Sequence, residues 1–230
     1  MNDQVQMLYA ADDYALAAQR NRVLRNTYGL LAVSLVPTVL GAWVGISTGI
    51  SQAMGGGLAA LLFLAGAFAF MYAIDKTKES AMGVYLLLAF TFFMGLMLSR
   101  LVGQVLGFRN GTSLVMTAFG GTAAVFFAMA SLSTVIKRDL SGMGKFLMVG
   151  AVIMLVAGIA NIFLQSSALM LTLIVASLGI FSAFMLYDIK RVVDGGETNY
   201  VSATLAIYLD IYNVFQSLLA LLGIVGGDRD

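Results

Sequence analysis

Seven apolar runs, each close to the length that crosses a bilayer, follow one another along this chain with only short polar stretches between them. They cover about residues 28–50, 58–74, 81–106, 113–136, 146–164, 169–189 and 201–225. A hydrocarbon core about 30 Å thick takes about 20 helical residues, so every run is long enough to span, the second only just. Lipid offers no hydrogen bonds, and a segment of this kind satisfies its own backbone only as a helix. Composition agrees with that reading, since 60% of the 230 residues are hydrophobic and 11% charged, against roughly 45–50% and about 25% in soluble domains. The fold class expected is an all-α integral membrane protein. Its seven transmembrane helices would occupy residues 27–230, after a cytoplasmic tail at 1–26.

Several chemistries are excluded at once. The sequence has no Cys and no His, which removes disulfides, thiolate nucleophiles, the common zinc and haem ligands and the imidazole pH switch. A formal charge of +1, with cations scattered between apolar runs, gives no footprint for nucleic acid. No Walker sequence, dinucleotide fingerprint, nucleophile–base pair or metal-ligand cluster is present, so no enzyme, cofactor or resident metal is expected. The first residues are acidic before they turn basic, unlike a cleavable signal peptide. The tail reads as a mobile segment in preference to an interfacial helix over 9–24. No internal repeat is visible, which counts against an inverted-repeat transporter.

Orientation follows from the cations. With the N-terminus inside, the inner side holds Arg20, Arg22, Arg25, Lys76, Lys78, Lys137, Arg138, Lys145, Lys190 and Arg191, and the outer side Arg100, Arg109 and Arg229. Ten against three favours a cytoplasmic N-terminus by the positive-inside rule. A re-entrant last helix would instead return the C-terminus to the cytoplasm. Pro37 removes an N–H within the first run and is expected to kink it.

Two acids fall within late apolar runs, Asp188 in FMLYDIK and Asp210 in AIYLDIYN. A charge at membrane depth costs at least about 2–3 kcal/mol and normally faces a partner or a wet cavity. Their midpoint lies in the polar segment RVVDGGETNY, so a helical hairpin would bring both to one interface, within about 3–5 Å of each other. Two adjacent carboxylates resist ionising together, which makes the pair a candidate pH sensor. Asp188 also has a plainer reading as an acid solvated at a helix end. Asp210 lies on a small, polar stripe with Ala203, Ala206, Asn213, Ser217 and Ala220, suited to close packing or to lining a cavity. Tyr187, Tyr208 and Tyr212 are candidate donors to the carboxylates. Asn161 and Gln165 are expected to bond between helices, and Gly120, Gly121, Gly150 and Gly158 to mark helix contacts.

The stretches NRVLRNTYGLLAVSL at 21–35, NIFLQ at 161–165 and YDIKRVVDGGETNYVSATLAIYLDIYNVFQSLLALLG at 187–223 together resemble the Bax inhibitor-1, or transmembrane Bax inhibitor motif, family. Asp188, Tyr200, Ala203, Tyr208, Asp210, Asn213 and Phe215 carry the most specific part of that likeness. The resemblance implies seven helices with the C-terminal one central, and a pH-sensitive calcium leak sensed by two aspartates, here Asp188 and Asp210. In the bacterial branch it implies instead a regulator that binds a membrane-anchored AAA protease of the FtsH type. Some members bring a charge from helix two to the aspartates, and the run at 58–74 contains none, so an arginine latch is not expected. Two side chains fall short of the six to eight ligands calcium prefers. Any Ca2+ at Asp188 and Asp210 would therefore be transient.

Overall fold

The structure, a computed structural model, describes residues 2–50 and 56–228, with side chains from residue 16 to 50 and from 61 onward. Among the described residues seven helices carry the fold: α1 (Asn2–Thr48), α2 (Gly56–Thr77), α3 (Ala81–Leu106), α4 (Gly111–Val135), α5 (Ser141–Leu164), α6 (Ser167–Val193) and α7 (Tyr200–Gly226). No strand occurs among the described residues. Among those residues, all the helices but α2 include a stretch long and apolar enough to cross a membrane, which makes six.

The helices outrun the apolar segments at their polar ends. α1 starts at Asn2 and continues through Pro37, so residues 2–26 have helical backbone. α5 takes in Ser141 and Lys145, and α6 carries past Asp188 to Val193. Short, chemically specific turns end them. Gln165 adopts a left-handed conformation, with φ of 49°, as the C-cap of α5. Its N–H donates to Asn161 O at 2.8 Å, and Ser166 N–H donates to Asn161 Oδ1 at 3.0 Å. The Asn161–Gln165 pair thus builds the α5–α6 turn and does not bond between helices as expected.

α1 lies along α3, and α2 flanks α3. α6 and α7 form a hairpin on which α4 sits, and α5 packs chiefly on α6. α7 touches α1, α2, α3, α4 and α6, and the buried core is richest along it and α3. Phe90, Leu87 and Met94 of α3 belong to one buried cluster with Ile207, Tyr208 and Leu219 of α7 and Met185 and Ile189 of α6. The outward faces are equally apolar: Trp43, Phe127, Phe146 and Phe163 are all exposed. Such a surface is stable against acyl chains and would aggregate in water.

Close approach is reserved for one crossing. A methyl group at Gly41 would collide with Phe92 O, and one at Gly95 with Thr38 O, so α1 and α3 meet backbone to backbone through glycine. The glycines expected to mark contacts behave differently. Gly120 and Gly158 face open space, while Gly121 and Gly150 meet only the side-chain tips of Leu218 and Ile180.

α7 runs the full length of the bundle. At its start Asn199 Nδ2 donates to Lys78 O at 3.1 Å and to Glu79 Oε1 at 3.0 Å, on the α2–α3 turn. At its end Asn110 Nδ2 donates to Gly226 O at 2.6 Å, on the α3–α4 turn. α3 joins those two turns, so α7 traverses the same distance, about 39 Å for 26 residues at about 1.5 Å each.

Candidate functional site

The α6–α7 hairpin brings the two acids together. Their carboxyl groups face each other closely enough to interact. A carboxylate carries no hydrogen to give, so a direct bond between the two groups would need a proton held between them. Asp210 is 3% exposed, and among the described residues no amide, hydroxyl or amine donor reaches its Oδ2. Asp188 is half-buried and forms part of the lining of a cavity of about 240 Å³ at the end of the bundle. It therefore stands between that cavity and Asp210. Further along the same seam Ser217 Oγ meets Ser177 Oγ at 3.0 Å, so the polar stripe of α7 faces α6.

The cavity mouth is charged, and its residues come from positions that the apolar pattern did not single out. Asp75 and Lys78 line it from the end of α2 and the turn beyond, opposite Arg191 of α6 and Glu197 of the α6–α7 turn. Each side is paired within itself: Lys78 Nζ lies 2.7 Å from Asp75 Oδ1, and Arg191 Nη2 lies 3.3 Å from Glu197 Oε2. The Asp75 carboxylate beside it holds the Lys78 ammonium above the usual lysine range. The run at 58–74 is indeed uncharged, yet the charges immediately after it share a cavity with Asp188. The signal available in sequence was their position at the same hairpin end as RVVDGGETNY. Asn199 locks that end by capping α7, its Oδ1 accepting from Val201 N–H at 2.9 Å and Ser202 N–H at 3.0 Å.

The expected supporting groups do not serve the acids. Tyr208 Oη is bonded to Thr38 Oγ1 at 2.8 Å, and Tyr212 Oη donates to Met94 O at 3.3 Å. Asn213 Nδ2 donates to Leu209 O of its own helix at 2.8 Å. Tyr187 lies against α5, where a methyl group at Gly144 would come within 2.6 Å of its hydroxyl. The α7 tyrosines are buried in its first half, on a face that packs against α1 and α3, whereas Asp210 faces α6. They fasten the helix instead of tuning the carboxyls.

A second group of charges gathers at the same end. Lys190 is only 7% exposed, and its Nζ lies 2.7 Å from Asp194 Oδ1. Asp139 accepts from Ser141 N–H at 2.8 Å and from Ser141 Oγ at 2.7 Å. These two donors hold the Asp139 carboxyl below the usual carboxylate range. No group of three or more acids arranged for a metal ion occurs among the described residues.

Six lipid-compatible helices, apolar outward faces and a pair of acids at one helix seam define a multi-pass helical membrane protein. Residues 20–227 match the family described as inhibitor of apoptosis-promoting Bax1, and the chain belongs to this Bax inhibitor-1 family. A protein of Neisseria meningitidis serogroup A is 37% identical over 94% of this chain and 97% of its own length. The modulator of FtsH protease YccA of Escherichia coli K12 is 36% identical over 90% of this chain and 92% of its own. The inner membrane protein YccA of Escherichia coli O6:H1 shows the same identity and coverage.

Proposed function

We propose that this protein is a seven-span inner-membrane modulator of a membrane-anchored AAA protease of the FtsH type. The observation that carries this reading is the likeness, at 36% identity over 90% of the chain, to a protein named as a modulator of FtsH protease. The N-terminus is cytoplasmic, as the ten-to-three distribution of cations favours, and the segment before the first apolar run forms the handle by which the protease engages it. α2 is the seventh span, and α7, with contacts to five other helices, is the central one. The test is co-purification with the protease, and degradation by it, of the full chain and of a chain lacking residues 1–20. Reduced association or altered degradation is expected on truncation. Equal behaviour of the two chains rejects the tail as the handle, and no association of the full chain rejects the reading.

A second reading is favoured by the acid pair. A proton held between Asp188 and Asp210, behind a charged cavity, is the arrangement a proton-regulated cation leak requires. Loss of that proton leaves two adjacent negative charges, which separate or recruit a cation. Ca2+ would bind there transiently, completed by water and carbonyl oxygens. Purified protein in calcium-loaded liposomes separates the readings, because a leak operates without any protease. The two activities are compatible in one molecule, and neither calls for enzymatic chemistry.

A further inference from the structure

The second cavity, about 550 Å³, opens at the basic end of the bundle between α1, the α4–α5 turn and the end of α6. Its lining carries three cations, Arg20, Lys137 and Lys190, against two carboxylates, Asp139 and Asp194. Both carboxylates are already engaged, Asp194 with Lys190 and Asp139 with Ser141. Among the described residues Arg20 and Lys137 have no carboxylate within ion-pair distance. The unmatched charge in the cavity is therefore positive, and it is contributed by two separate elements.

Next to this charge lies an apolar surface. Ser133 and Thr134 line the cavity from the last turn of α4, and the residues on either side of them, Leu132 and Val135, are 42% and 71% exposed. A ligand that places an anion between Arg20 and Lys137 thus meets exposed hydrocarbon one residue away. The carbonyl ends of α4 and α6 also point to this region, and their partial negative charge opposes a small free anion. The two serine and threonine hydroxyls do not offset it, since they donate to Ala130 O and Ser131 O. A ligand with both an anionic group and acyl chains gains the cations and the apolar contact together. Basic pockets between membrane helices at a headgroup level bind anionic lipids on these terms.

We propose that this cavity is a site for the phosphate of an anionic phospholipid headgroup. Arg20 and Lys137 hold the phosphate, Lys190 adds charge from below while paired with Asp194, and the acyl chains run along Leu132 and Val135. The site is independent of the acid pair, whose Asp188 lines the other cavity, and of any protease.

The test uses the full-length protein, delipidated in detergent and then offered phosphatidylglycerol, phosphatidylethanolamine or inorganic phosphate. Retention is read by native mass spectrometry and stabilisation by melting temperature. Phosphatidylglycerol is expected to be retained in preference to phosphatidylethanolamine and to raise the melting temperature. Arg20→Gln and Lys137→Gln should each weaken retention several-fold, and the double variant should abolish the preference. Both positions are exposed, so these variants keep the fold. Arg138→Gln, beside Lys137 but outside the lining, should change nothing. Equal retention of the two lipids, or a preference that survives in the double variant, overturns the site. Stabilisation by inorganic phosphate with no lipid preference overturns the lipid assignment.

Discussion

The Tyr208 hydroxyl meets Thr38 Oγ1 at 2.8 Å, joining α7 to α1 across 170 residues of sequence. Tyr208 is 1% exposed and its ring sits edge-on to Phe90, with centroids 6.2 Å apart. The bond fixes one rotation of α7, and that rotation is the one that turns Asp210 toward Asp188.

Tyr208→Phe keeps the ring and removes this bond. Thr38 retains its bond to Ser34 O at 3.0 Å, so no donor is stranded and the loss should stay near the usual net value of about 1 kcal/mol. Thermal unfolding in detergent is expected to show a modest fall in melting temperature. An unchanged value would mean that apolar packing alone sets the α7 rotation.

At the α1–α3 crossing the effect should be larger. Gly95→Ala drives a methyl group into the carbonyl of Thr38, and backbone cannot yield as a side-chain tip can, so overpacking of about 1–3 kcal/mol is expected. Gly120→Ala adds the same atom where nothing lies within 4 Å. There the gain in helix propensity, up to about 1 kcal/mol, should make it neutral or stabilising. Similar melting temperatures for the two variants would contradict the crossing geometry.

Much of this fold is written in hydrophobic run length, which places every helix end but the start of α1 to within a few residues, because lipid leaves the backbone no alternative to helix. The acid pair was legible for a related reason, since a carboxylate ten residues into α7 stands out against its apolar neighbours. What run length cannot carry is the rotation of each helix. Gly41 and Gly95, which meet backbone, look no different in sequence from Gly120 and Gly158, which meet nothing. Tyr208 and Tyr212 sit within two residues of Asp210, yet they face α1 and α3 while it faces α6. Nothing in the sequence joins Asp75 and Lys78 to the acids, because the charges they face at the cavity, Arg191 and Glu197, lie more than 110 positions away.

Asp139 gives a pH-dependent expectation outside the membrane. Its pKa is lowered in the folded chain by the Ser141 N–H and hydroxyl, so the unfolded chain binds the proton more readily. The stabilisation it brings to the start of α5 is therefore fully present above the unfolded aspartate value and is lost as pH falls through the lower folded one. The melting temperature of the native chain should exceed that of Asp139→Ala at neutral pH, and the gap should narrow on acidification. A gap that widens toward low pH would show that the Ser141 contacts do not govern this carboxyl.

The acid pair makes the sharpest demand on the leak reading. Asp210→Asn places an amide that donates to Asp188 without needing a shared proton, so the contact survives while its response to pH does not. Asp188→Asn does the same from the cavity side, and because Asp188 is half-buried it should matter as well. In calcium-loaded liposomes titrated from about pH 5 to about pH 8, each variant is expected to flatten the pH dependence of calcium flux, and the double variant to abolish it. The Ser177–Ser217 contact, farther along the same seam, supplies a control for packing. Ser217→Ala removes a hydroxyl bond without touching a titrating group, so it should change the level of flux and leave its pH profile in place. A double Asn variant whose flux keeps the full pH response removes the pair as the sensor, and an intact chain that passes no calcium at any pH removes the leak. In either case protease modulation is left as the function to pursue, because it draws on no intramembrane carboxylate.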